Sequence, residues 1–242
     1  ALAHAVNKEE LIDGILLGLG REATGPFKPG TWQYNPDVKR YPYDPQRALQ
    51  LLAEAGWRDT DGDGILDRNG QRFEFELLAN QGNEVRAKTA EIVQRRLAEL
   101  GISVKIRIIE WAAFIKEFIN KRRFDAVILG WTIPMDPDLH DVWHSSKTGP
   151  SELNFISYRN DEVDALLEKG RGTFDRAERK RCYDRIQEIL AEDQPYIFLY
   201  VPDALPIFNA RIRGIDPAPI GIGHNVIRWY VPKEEQKYVM AQ

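Results

Sequence analysis

Between residues 72 and 130 the chain alternates short β-type runs with longer amphipathic ones, and this order limits the fold more than any other feature. Residues 72–78 alternate apolar and polar side chains through FEFEL, as a half-buried strand does. A helical pattern over 84–100 stops at Gly101, and a second alternating run follows at 102–109. A helix over 112–121 then leads to a third strand, 124–130, whose apolar run Ala126 to Leu129 suits a fully buried position. Strand, helix, strand, helix, strand with short links makes two crossover units. The expected fold class is therefore α/β, with a mainly parallel, right-handed sheet and flanking helices. The strand exits, at 80–83, 110–111 and 130–136, converge on one edge, where open α/β sheets bind ligands. Trp131 stands directly after the strand-ending Gly130, with Thr132 beside it and Pro134 and Pro137 stiffening the loop. The indole is either a ligand contact or a plug for the sheet edge. Asp136 reads as the N-cap of a helix opened by Pro137.

The remaining elements are arranged around this block. Residues 3–17 form an amphipathic helix closed by Gly18 and Gly20, and 21–43 an irregular Pro/Gly/Tyr-rich excursion. Asp44 caps a helix with Pro45 in its first turn, ending at Gly56. Residues 59–70 are an acidic loop. Helices follow at 161–169 and 174–192, the latter capped by Asp175, and then an apolar strand at 196–201. From 202 to 242 helical periodicity ends and prolines, glycines and aromatics take over. The expected organisation is one lobe over 1–201 and a segment of another layer over 202–242. The opening ALAHAVNKEELIDGILLGLG starts inside a helix-like pattern, the expectation for a piece of a longer chain.

A net charge of -4 offers no broad basic surface, which argues against nucleic acid as a partner. The lone Cys182, in a helical context, has no internal disulfide partner and reads as a packed thiol. No apolar run approaches the roughly 20 residues of a membrane span.

Two clusters carry metal-like spacing. In DTDGDGILD, residues 59–67, Asp59, Asp61, Asp63 and Asp67 take positions 1, 3, 5 and 9 of an EF-hand-like loop. Gly64 permits the tight turn and Ile65 would offer its carbonyl. Position 12 is Gly70 instead of a bidentate Glu, with Glu74 the nearest replacement. The alternatives are a structural calcium site and an acidic surface turn; no cofactor is required. In HDVWH, His140 and His144 lie four residues apart and could share a zinc ion, with Asp141 where a zinc hydrolase carries Glu. Asp is one carbon shorter than Glu, and no third ligand is marked. Asp136, Asp138 and Asp141 could also be read as a glycosidase pair, but no nucleophile elbow or phosphate-cradling loop is present. A hydrolase built on these acids or histidines, and a calcium-stabilised structural module, are the two competing readings.

Taken together, several motifs resemble one family. They are AHAVNKEELI at 3–12, YDPQRALQLLAEAGW at 43–57, DTDGDG at 59–64 and LGISV at 100–104. They continue with GW…DPD at 130–138, NFISYRNDEVD at 154–164 and EDQPYIFLY at 192–200. The chain resembles the C-terminal half of a family 5 extracellular solute-binding protein, the peptide-binding subunit class of bacterial ABC importers. The resemblance implies a periplasmic-binding-protein-like type II lobe in a monomeric, two-lobed clamp. Such a clamp closes on a peptide or related solute and delivers it to membrane permease subunits. It implies a periplasmic or extracellular location, with or without a lipid anchor, no catalytic residues, and a 202–242 segment returning toward the other lobe. In that family the Trp matched by Trp131 packs on the ligand, and an acid three residues later often holds the peptide amine. Here that position is Pro134, which leaves Asp136 as the nearest replacement. The stretch from Asn80 to Glu84 resembles the family's carboxylate-binding loop, and its first arginine is Arg86.

Overall fold

The computed structural model describes residues 1–134, 136–218 and 221–237. In chain order its main elements begin with helices α1 (Leu2–Ala5) and α2 (Lys8–Leu16), strand β1 (Gly20–Glu22) and helix α3 (Pro45–Glu54). Next come strands β2 (Asp67–Arg68), β3 (Gln71–Arg72) and β4 (Glu74–Asn80), helix α4 (Glu84–Ala98) and strand β5 (Ser103–Ile109). Helix α5 (Trp111–Ala113) runs on into a π-helical turn, Phe114–Ile119, and strand β6 (Ala126–Val127) follows. Helices α6 (His140–Trp143), α7 (Asp161–Arg171) and α8 (Arg176–Asp193) precede strand β7 (Tyr200–Pro202).

The core sheet has the order β5-β4-β6, and both pairings are parallel. Glu74 lies opposite Ser103 and Asn80 opposite Ile109, so the parallel pairing runs the length of β4. Adjacent residues of β4 feed two different cores, which is why its sequence carries successive apolar residues and not strict alternation. Leu77 packs with Ala90, Leu97, Ile102 and Ile128. Leu78 packs with Phe114, Ile119 and Phe155 on the other side. A third cluster joins α6, α7 and α8 through Trp143, Val163, Leu167, Tyr183 and Ile186.

Caps fix the helix starts: the side chains of Asp44, Asn83, Asn160 and Asp175 accept backbone N–H groups of their first turns. Gly101 ends the turn after α4 at φ +75°, and a Cβ there would stand 3.0 Å from the Gly64 carbonyl oxygen, so the position favours glycine twice over.

Five local expectations are corrected. The single helix over 3–17 is two, because the Asn7 side chain accepts the Glu10 N–H and caps α2. The third strand pairs only through Ala126–Val127, opposite Leu77 and Leu78. The 59–70 loop closes into a hairpin of β2 and β3. No helix starts at Pro137: α6 begins at His140, whose N–H is accepted by Asp138 at 3.0 Å, while Asp136 is drawn to Arg179. The strand expected at 196–201 pairs only at β7, antiparallel to β1.

By internal contacts the chain divides into Ala1–Pro202 and Asp203–Gln242. Of the second unit, residues 219, 220 and 238–242 lie outside the described residues. The rest holds together through an Arg213–Tyr230 bridge, the Arg213–Glu235 ion pair and the Trp229 indole N–H donated to Asn225 at 2.8 Å. Among the described residues, no helix is long and apolar enough to cross a membrane.

Candidate functional site at the carboxyl edge of the sheet

Because β4, β5 and β6 are parallel, their carboxyl ends lie on one edge. The Gln81 N–H donates to the Ile109 carbonyl at 2.7 Å and ties the first two exits together. Arg86, in the first turn of α4, links all three. Its guanidinium donates to Asn80 Oδ1 at 2.7 Å, lies 5.9 Å from the centre of the Trp111 ring, and stands 3.4 Å from where a Cβ on Gly130 would be. Gly130 thus leaves room for the arginine. Burial pulls the guanidinium below its ordinary pKa, with Tyr200 acting in the opposite sense.

Trp131 is 38% exposed and stacks on Phe155 at 6.0 Å between centroids, with 24° between ring planes. Phe155 in turn stacks on Tyr196. Burial pushes the Tyr196 phenol up from its ordinary pKa, and the Trp131 indole acts against it. The sheet edge therefore offers an indole with one supported face and one accessible side, beside a half-buried guanidinium. Such a set can stack on an apolar group and pair with a carboxylate.

Asn80 is buried and held by Arg86 and by its own bond to the Gln81 carbonyl at 3.0 Å. Thr132 is exposed in the loop after Trp131. The Asp136 carboxylate is bonded to the guanidinium of Arg179. Arg86 and Trp111 are the members least legible in the sequence. Trp111 follows its strand just as Trp131 follows its own, and that parallel is the available signal. Arg86 stands in the sequence only as the first arginine after the 80–84 stretch, and its place over the edge becomes visible once Asn83 is known to cap α4 and turn the first helical residues there.

In the acidic loop, carboxylate oxygens of Asp59, Asp61 and Asp67 lie within 4.8 Å of one another. Asp67 is buried and accepts the Thr60 N–H and hydroxyl, and Asp59 accepts the N–H groups of Gly62 and Gly64. Asp63 stands apart. Its carboxyl is held below its ordinary pKa by the Ile65 N–H and by an ion pair with Arg72. Ile65 lies in the same turn, two residues before Asp67. Glu74, the possible twelfth-position replacement, pairs with Lys105 at 2.7 Å instead.

His140 and His144 are both buried, their rings stacked at 4.3 Å. His144 Nδ1 accepts the Ser146 N–H, and its Nε2 faces Glu168 at 3.4 Å. Among the described residues, the only cluster of three or more acids, histidines or cysteines with metal-like spacing is the Asp59 group. Cys182 is buried, and desolvation pushes its thiol pKa up, against any nucleophilic use.

A parallel sheet with flanking helices and an open aromatic edge defines an α/β lobe of the type II periplasmic-binding-protein kind. The profile of bacterial extracellular solute-binding proteins, family 5, middle region, matches residues 1–152, and the chain belongs to that family. It is 38% identical over 236 residues to the oligopeptide-binding protein AppA of Bacillus subtilis, covering 96% of this chain and 43% of that protein. The structure of AppA in complex with a nonapeptide superposes with a TM-score of 0.83 over 96% of this chain and 46% of that one. Heme-binding protein A of Haemophilus influenzae is 31% identical over 226 residues, 91% of this chain and 39% of that protein. NikZ from Campylobacter jejuni in complex with Ni(L-His) has a TM-score of 0.82 at 30% identity, over 94% of this chain and 47% of that one. The chain spans less than half the length of these relatives.

Proposed function

We propose that this chain supplies one lobe of the substrate-binding subunit of an ABC importer, which captures peptides or a related small solute between two lobes for a membrane permease. The observation that carries the reading is the convergence of Trp131, Trp111 and Arg86 on the carboxyl edge of the parallel sheet. The family membership and the oligopeptide-binding relative support it. Peptide is the preferred ligand: Trp131 offers a stacking surface and Arg86 a carboxylate partner. With Pro134 after the tryptophan and Asp136 engaged by Arg179, the Trp131 loop offers no free acid for a peptide amine among its described residues. Recognition of the amine therefore falls to the other lobe, to the exposed Glu84 at the start of α4, or to an Asp136 that exchanges partners.

The same reading makes the protein a monomeric binder and not an enzyme, outside the cytoplasm and with or without a lipid anchor, and no partner of nucleic acid. It also makes the 202–242 segment a return toward the second lobe. A hydrolase is disfavoured because the two histidines are stacked and hydrogen-bonded within the fold and, among the described residues, no third ligand joins them. The direct test is calorimetric titration of the intact protein with a peptide library. Saturable binding without turnover supports the reading, whereas cleavage of the peptides contradicts it.

For the acidic loop we propose a structural calcium ion on Asp59, Asp61 and Asp67 and the Ile65 carbonyl, with Asp63 joining only if it leaves Arg72. Its effect would be to stiffen the turn before β2. Calcium added to chelator-treated protein should release or absorb heat and raise the melting temperature. Neither change at millimolar calcium would leave an acidic turn.

A further inference from the structure

The loop before α8 exposes a second aromatic and cationic cluster that the reading above does not use. Phe174 is fully exposed at the end of this loop. Trp32, from the irregular excursion, faces it across an open cleft of about 400 Å³ lined also by Arg176 and Arg179. The Arg176 guanidinium lies 4.9 Å from the Trp32 ring centre and that of Arg179 lies 5.9 Å from it. The two cations differ in how they are held. Arg179 donates to Tyr183 Oη at 2.8 Å and pairs with Asp136, so it is fixed. Arg176 has no hydrogen-bonding or ion-pair partner among the described residues, and the adjacent Asp175 is spent on the N–H groups of Ala177 and Glu178. A guanidinium resting on an indole face keeps its N–H edge free, the geometry that receives a carboxylate in bidentate fashion. The cleft also lies within the usual volume range of small-ligand sites.

We propose that the cleft between Trp32 and Phe174 binds a carboxylate carried on a flat apolar group, with Arg176 as the anion partner and the two aromatic rings holding the body. Two sources share this chemistry: the free carboxyl end of a peptide with an aromatic last residue, and a free aromatic acid. The positively charged lining selects for the anion, and the apolar walls select for the ring beside it.

Saturation-transfer NMR on the intact protein tests this with phenylacetate and acetylglycylphenylalanine as probes and their uncharged amides as controls. The acetyl cap removes any need for a site that reads an amine. The carboxylates should bind with millimolar or better affinity and the amides about tenfold more weakly. Arg176→Gln should weaken the carboxylates about tenfold and Phe174→Ser about threefold. Both side chains are exposed, so melting temperatures should not move. The loss on Arg176→Gln should be the same in a Trp131→Ala background as in the parent, which separates the cleft from the sheet-edge site. Tighter binding of the peptide probe identifies a peptide end as the source, and tighter binding of phenylacetate a free acid. The proposal is overturned if neither carboxylate binds at millimolar concentration, if the amides bind as well, or if both variants bind like the parent.

Discussion

Trp143 and Trp131 lie twelve residues apart in the chain and do opposite things. Trp143, at the end of α6, is 1% exposed and packs against Tyr158, Tyr196 and Phe198. Trp131, at the sheet edge, is 38% exposed and has an aromatic neighbour on one face. The two regions connect through Tyr196 and Phe155, so the helical layer holds from behind the ring that the sheet edge presents. The same residue type serves stability in one place and, on the proposed reading, recognition in the other. What separates them is the number of neighbours, not the chemistry of the indole.

The largest effect expected is on the buried member. Trp143→Ala removes a fully enclosed side chain and should cost about 3–5 kcal/mol of stability in urea unfolding. A cost near zero would erase the contrast. Next, Trp131→Ala should weaken peptide binding by the intact protein by about 2 kcal/mol, roughly thirtyfold in Kd, with little change in melting temperature. Unchanged affinity with a lowered melting temperature would make it a plug like its neighbour.

A smaller effect belongs to neither aromatic region and calibrates both. Glu10 on α2 accepts from Arg96 and Arg95 of α4, and the Arg96 hydrogen bond foremost holds its carboxyl below the ordinary 4.5. A depressed carboxyl contributes stability above its unfolded pKa and loses it as pH falls through the folded one. Glu10→Gln should therefore cost about 1 kcal/mol at neutral pH, and the difference from the parent should fade below pH 4.5. A difference that persists in acid would show that the charge is not its source. The smallest effect is at Gly130. A methyl there meets only the end of the Arg86 side chain, so Gly130→Ala should change stability by less than about 0.5 kcal/mol. Its trace should be a modest loss of ligand affinity as Arg86 is displaced.

The core sheet was legible because its signal is periodic and local: FEFEL at β4, the alternation of β5 and the glycine stop at Gly101 all point one way. The short pairing of β6 was not, since an apolar run cannot say how many of its residues find a partner strand. Asp136 and Asp138 illustrate the limit at the site. Both sit beside prolines in a helix-start pattern, yet their carboxylates go to Arg179 and Arg171, more than thirty residues further along the chain. Sequence spacing carries no information on such long-range partners. Asp63 shows the limit at shorter range: the loop motif assigns it to a metal, and the fold pairs it with Arg72 of β3. Arg86 gathers the three strand exits only because the sheet is parallel, so its role follows from the topology and not from any motif around it.

The central claim is that the carboxyl edge of the sheet meets the ligand. Hydrogen exchange of the intact protein, with and without a saturating peptide library, tests it most directly. The account predicts new protection in the segments 80–83, 110–113 and 130–133, and none specific to the acidic loop at 59–67. Peptide binding that leaves those three exits exchanging as in the free protein would contradict it.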